Sequence, residues 1–342
     1  VIVYGQASDD ISVASTAAIR AIIHGSDLGS VLRGGAGDDV IIGGKGADEI
    51  YGGAGADLLW AGAGANLVRG QDGDDVILAG DGANDIHAGA GADTVVAGQG
   101  NNTIGTDGSD DLIVVGQGSN TIRAGSGNNT ILAGAAAAAL DSLTAGQLSA
   151  AFQGAARVQV SAAVALGLSL GGGGANSIYS GSGNDIIRVG DGANYISTGD
   201  GKDRVTFGNG ANFIQADGSD DTVTGGNGAN TIRLGGGTNV LVVGDGVNDI
   251  RGGSGADEIH VGNGANRISA GGGANKIYAG NGNNTIDTGS GDDQIYAGSG
   301  ANTITSGAGN DTIVVGDGNN DIHAGDGDDR ITAGAGNNQI DA

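Results

Sequence analysis

The side chains able to do chemistry in this sequence are carboxylates, and they recur at a fixed interval. At every eighteenth position stand Asp39, Asp57, Asp75, Asp93 and Asp111, then Asn129. After a break the column resumes as Asp185, Asp203, Asp221, Asn239, Asp257, Asn275, Asp293, Asp311 and Asp329. Midway between its members runs a second column that opens with Asp48 and is then Asn throughout, from Asn66, Asn84, Asn102 and Asn120 to Asn176, Asn194 and onward to Asn338. Stacked carboxylates beside turn carbonyls are hard oxygen donors for a divalent cation, calcium above all, and without a cation their mutual repulsion opposes folding. The twelve aspartates of the first column are therefore the candidate metal ligands. The competing reading, that they merely keep the chain soluble, leaves their strict spacing without a cause. An Asn column carries no charge and can donate and accept at once, so it predicts a ladder that holds without metal.

These columns are the sixth positions of a nine-residue unit, x-G-x-G-x-[D/N]-x-[I/V/L]-x, that runs in register from Gly34 to Leu132 and again from Gly171 to Asp341. The first block holds eleven such units and the second nineteen. The Gly pair permits the positive φ angles of a tight turn, and the apolar residue at position eight suits a short strand. Two units then close one coil, and stacked coils put Ile41, Ile50, Leu59, Val68 and Ile77 in a thin interior ladder. The predicted fold is all-β: a parallel β-roll or β-solenoid with 18 residues per coil.

Units such as Gly34-Gly35-Ala36-Gly37-Asp38-Asp39-Val40-Ile41-Ile42 resemble the GGxGxDxUx nonapeptide of the repeats-in-toxin (RTX) proteins. The resemblance spans about four fifths of the chain. It implies a parallel β-roll that binds several calcium ions between turns, usually after secretion of an unfolded chain into calcium-rich surroundings. It implies little about activity, because the roll accompanies toxins, proteases, lipases, adhesins and surface-layer proteins.

Four segments follow. Residues 1–33 read as degenerate coils, 34–132 as the first block, 133–170 as an insertion and 171–342 as a second block continuing the same rod. The insertion predicts a helix over 135–156, with Leu140, Leu143, Leu148 and Phe152 at nearly helical spacing, followed by an alternating strand from Val158 to Leu170. Asn129 and Asn176 keep their phase across it, which favours one rod with an excursion over two joined rolls. Outward positions of the first block carry Val40, Ile42, Leu58, Trp60, Val76, Leu78, Val96, Leu112, Val114 and Leu132, an apolar face that needs a cover or a partner. The excursion folding back over it is one solution, and lateral contact with a second copy around Trp60, Leu78 and Leu112 is the other.

The composition narrows the function. With 75 Gly, no Pro, no Cys and no Met in 342 residues, the chain is neither collagen-like nor built on an ordinary globular core. A net charge of -25 repels nucleic acid and anionic membranes and attracts cations. No leader, membrane-spanning run or lipidation motif is visible, and the chain starts at Val1, as a processed or partial product would. No catalytic constellation stands out: His24, His87, His260 and His323 fall on strand exteriors, and the acidic residues form a lattice and not a pair. The reading is a non-enzymatic, extracellular or cell-surface bacterial protein that binds calcium and self-associates head to tail through exposed coil ends, as a filament, surface layer or biofilm matrix. The rivals are the repeat section of a secreted enzyme or toxin, and an adhesin or ice-binding rod.

Overall fold

In the computed structural model of the chain, residues 1–6, 9–14, 16, 19–135 and 173–342 are described. They form a parallel β-solenoid of about 16 turns. Two compact units divide it, Val1–Asp191 and Gly192–Ala342.

In the first unit, the strands that follow the aspartate turns pair in one parallel sheet, with Ile41 beside Leu59, Leu59 beside Ile77, Ile77 beside Val95 and Val95 beside Ile113. The strands that follow the asparagine turns make the opposite sheet, with Ile50, Val68, Ile86, Ile104 and Ile122 in register. Each of these side chains is at most 1% exposed, so position eight is the core, as its period requires. Burying one such Ile or Leu contributes about 1.5–3 kcal/mol. The second unit repeats the scheme, with Val205, Val223, Leu241, Ile259 and Ile277 inside one sheet and Ile196, Ile214, Ile232, Ile250 and Ile268 inside the other.

The coils on either side of the insertion are direct neighbours within the first unit. Thr130 pairs with Ile186 and Thr121 with Ser177, in the same register as uninterrupted coils. The repeat overruns its expected limit, because the strand Thr130–Ala135 continues past Leu132 and pairs Ala135 with Gly116. Ala135, expected to open a helix, is thus in a strand, where the neighbouring strand satisfies its backbone. The rest of the predicted helix and the strand from Val158 to Leu170 lie outside the described residues. Near the start, Ile2 pairs with Ile22 and Asp10 with Val31, so these coils are longer than the regular one by two and three residues.

The apolar outer face of the first block is partly closed to solvent. Leu78, Val96, Val114 and Leu132 are at most 9% exposed and form a cluster against which Leu58, Trp60, Val76 and Leu112 pack. The equivalent face of the second unit is open, with Val240 at 36% and Val242 at 42%. Among the described residues no helix is long and apolar enough to cross a membrane.

Candidate metal site

The two edges of the solenoid turn differently. Before Asp257 both turn glycines are left-handed, Gly253 at φ 109° and Gly255 at φ 115°, whereas asparagine turns commonly have only the second one there, as Gly100 at φ 128° before Asn102 and Gly210 at φ 136° before Asn212. This geometry is imposed by the coil and not chosen by glycine: Gln71 and Ser109, which replace glycines on the aspartate edge, are held at φ 86° despite their side chains.

Each turn ends on a sixth residue whose side chain points into the wall. Eleven of the twelve predicted ligands, Asp39, Asp57, Asp75, Asp93, Asp111, Asp185, Asp203, Asp221, Asp257, Asp293 and Asp311, are at most 3% exposed. Asp329 is half-buried. Each uses its Oδ1 to accept the backbone N–H of the sixth residue one coil earlier. Asp39 donates to Asp57 at 2.7 Å, Asp57 to Asp75 at 2.8 Å and Asp93 to Asp111 at 2.8 Å. In the second unit Asp203 donates to Asp221 and Asp293 to Asp311, both at 2.8 Å. The predicted residues therefore form a column, with one oxygen of each carboxylate already used to tie coil to coil.

What the other atom of the side chain meets is shown by the asparagines. Along the asparagine edge Oδ1 accepts as in Asp, while Nδ2 donates to carbonyls of its own turn and to the next Oδ1. Asn266, for example, reaches Gly262 O at 3.1 Å, Gly264 O at 2.8 Å and Asn284 Oδ1 at 3.0 Å. The rung from Asn66 to Asn84 is 3.0 Å and that from Asn302 to Asn320 is 3.0 Å. This edge satisfies its buried polar groups with its own amides, as the sequence predicts.

An aspartate in the equivalent slot keeps the Oδ1 bond but turns an oxygen, not an N–H, toward those acceptors. Oδ2 of Asp57, Asp93, Asp221, Asp257 and Asp311 is buried without a hydrogen-bond donor. At Gly252, a Cβ would lie 2.5 Å from Asp257 Oδ2 and 2.5 Å from Ala270 O, so the carboxylate and the next coil's carbonyl converge on one point. A slot lined only by acceptors is completed by a proton or a cation. The electrostatics agree. Burial is the main cause that pushes the carboxyls of Asp57, Asp93 and Asp221 up to about 7, and those of Asp111 and Asp293 to about 6; the N–H donated from the preceding coil pulls the other way, joined at Asp111 by the larger effect of the Thr106 hydroxyl and at Asp293 by the smaller effect of Thr288. Neighbouring aspartates add to the rise, as Asp39 does for Asp57.

The donor set fits calcium. It consists of carboxylate and backbone carbonyl oxygens, the ligands a hard cation takes, with no sulfur and no imidazole. Among the described residues no three His, Asp or Glu side chains converge on one point, so each ion would draw on one column aspartate per turn together with turn carbonyls.

Two features go beyond the sequence reading. Asp48, on the asparagine edge, has the same arrangement as the predicted ligands: it is 2% exposed, accepts Ser30 N at 2.7 Å and leaves Oδ2 without a donor. Burial raises its pKa as well. Its lone place in an Asn column was the available signal. Aspartates at the fifth position of the unit are exposed, and they also stitch coils: Asp38 accepts Ala56 N at 2.9 Å and Asp292 accepts Asn310 N at 2.7 Å. The histidines sit on the outer strand faces, where His260 contacts Glu258 at 2.8 Å and His87 contacts Asp85 at 3.2 Å.

Comparison of the chain with curated proteins found no match. The family profile of the RTX calcium-binding nonapeptide repeat matches residues 33–68, 69–104, 105–137, 170–205, 208–241, 242–277, 278–313 and 314–342. The family accounts for the acceptor-only slots, since its repeats bind multiple Ca2+ ions. With its coils, its turns and most of its length matched, the chain belongs to the RTX calcium-binding nonapeptide repeat family.

Proposed function

We propose that this chain is an extracellular structural element of bacterial origin whose closure is controlled by calcium, and that it acts by scaffolding and not by catalysis. The observation that carries the reading is the set of buried aspartates, Asp57, Asp93, Asp221, Asp257 and Asp311 among them, whose Oδ2 atoms meet no hydrogen-bond donor; Asp39, at the start of the column, differs in that its Oδ2 accepts Gly35 N at 2.7 Å. Such a column makes the closed coil costly wherever calcium is scarce and favourable where it is abundant; extracellular calcium modules work at about 10⁻⁴–10⁻³ M. A chain of this kind is only weakly closed until it meets external calcium. The twelve aspartates from Asp39 to Asp329 are assigned as the calcium-ligating side chains, with Asp48 added.

The finer part of the proposal is self-association. The regular coils bind their neighbours by one backbone ladder and by Asp or Asn rungs at the same places, so a coil of a second copy can be bound in the same way as the next coil of the chain. Head-to-tail stacking into a filament, surface layer or matrix follows from that repetition. Lateral association around Trp60, Leu78 and Leu112 is the second mode: Leu78 is 9% exposed, and Trp60 and Leu112 are partly buried against its cluster. Electron microscopy of the chain in calcium, and again after chelation, tests the assembly: long fibres that dissolve in chelator support it, and separate short particles in both conditions refute it.

A further inference from the structure

Three residues of the aspartate edge are not aspartates, and the structure shows what they do instead. Asn129, Asn239 and Asn275 are each at most 1% exposed, at the same depth as the aspartates beside them. Each keeps the coil-to-coil bond through Oδ1, which accepts Asp111 N at 3.0 Å, Asp221 N at 2.9 Å and Asp257 N at 3.0 Å respectively. The difference lies in the second atom. Asn129 Nδ2 donates to Gly127 O at 3.1 Å and to Ser180 O at 3.2 Å, a carbonyl of the next coil. Asn275 Nδ2 does the same toward Gly273 O at 2.9 Å and Thr288 O at 3.4 Å. Asn239 Nδ2 reaches Gly236 O at 3.3 Å, Gly237 O at 3.4 Å and Asp257 Oδ1 at 2.9 Å. In the slot where an aspartate requires a cation, these amides supply positive hydrogens of their own.

We propose that Asn129, Asn239 and Asn275 are amide rungs that close their turns without calcium and divide the acidic column into segments that load separately. The inference rests on the calcium reading of the aspartate edge and refines it. In the first unit the run from Asp39 to Asp111 ends at Asn129. In the second unit Asp257 stands alone between Asn239 and Asn275. An ion held between two successive aspartates has two carboxylates to neutralise it, whereas one beside an amide rung has a single carboxylate and meets an N–H as well. The amide rungs also remain bonded when calcium is withdrawn. They therefore act as fixed points from which the neighbouring coils close again.

The experiment uses the full chain and calcium chloride. Bound calcium is counted by equilibrium dialysis, and the melting midpoint is followed by circular dichroism in calcium-free buffer, for the wild type, for the double variant Asn239→Asp/Asn275→Asp and for Asp221→Asn. The double variant is expected to bind more calcium than the wild type, by about one ion per substituted residue, and to melt lower without calcium. Asp221→Asn, which extends the amide rung at Asn239 by one coil, is expected to bind about one ion fewer and to melt higher without calcium. If the double variant does not fold in calcium-free buffer while Asp221→Asn melts above the wild type, the proposal stands. A wild type that binds no calcium removes the calcium reading and this inference with it. A wild type that binds calcium, with variants that change neither the count nor the calcium-free midpoint, overturns the amide rungs alone.

Discussion

Raising the pH of a calcium-free sample should weaken this fold, the reverse of what acid-denaturing proteins do. Asp57, Asp93 and Asp221 have carboxyls raised from 3.8 to about 7 by burial. A group shifted that far favours its protonated form in the folded chain by at most about 4 kcal/mol. Because the folded value lies above the unfolded one, this stability is fully present below pH 3.8 and is lost as the pH climbs through about 7. The carboxylate left behind is buried with an oxygen that meets no donor, and it is repelled by the aspartate one coil away. Adding calcium should reverse the sign over the same window, since the deprotonated carboxylate is then the ligand and protons compete with the metal. The assay is the thermal midpoint by circular dichroism, measured from about pH 4 to about pH 8 after calcium is removed by dialysis, and repeated in excess calcium. A calcium-free midpoint that stays level or rises between those limits would refute the reasoning, because it would mean that the slots are satisfied by something other than protons or cations.

Ile259→Ala empties a fully buried interior position and should cost about 2–4 kcal/mol in chemical denaturation with calcium present. Asn266→Ala removes three amide donations and leaves turn carbonyls unpaired, so it should cost about 2–3 kcal/mol whether or not calcium is present. Gly255→Ala places a Cβ on a residue at φ 115° and against Gly237 O, and a loss of more than about 1 kcal/mol is expected from the same measurement. His260→Ala removes an outer-face contact with Glu258 and a ring stacking on Tyr278, and should lower stability by less than about 1.5 kcal/mol; a larger loss would show that the outer faces matter more than their exposure suggests.

Much of this architecture was legible because the motif carries its own geometry. Ile41 and Leu59 stand two nonapeptides apart in the sequence and side by side in the sheet. The phase of Asn129 and Asn176 survives the insertion in both descriptions, since Asn129 N donates to Asp185 Oδ1 at 2.6 Å and Asn120 N to Asn176 Oδ1 at 3.2 Å. What sequence could not say is how each sixth residue divides its two terminal atoms. Periodicity places an aspartate on the edge, but only the fold shows that Oδ1 is taken by the preceding coil and Oδ2 is left among acceptors. A second ladder was hidden for a different reason. On the outer side of the asparagine edge, Asn209 accepts Asn227 N at 2.8 Å, Asn227 accepts Asp245 N at 2.7 Å and Asp245 accepts Asn263 N at 2.6 Å. That role needs a single acceptor oxygen, which Asn and Asp both provide, so the column varies in type and does not stand out as a motif. Ala135 shows the opposite limit: its Ala-rich surroundings favour a helix, and pairing with Gly116 overrides them.

The most direct test of the account is a crystal structure grown in calcium, with the metal located by its anomalous scattering. The account places peaks along the aspartate edge, between coils whose sixth residues are both Asp and within bonding distance of Oδ2, and none along the column from Asn66 to Asn120. Aspartate slots without a peak in calcium-replete crystals, or peaks lodged among the asparagine rungs, would contradict it.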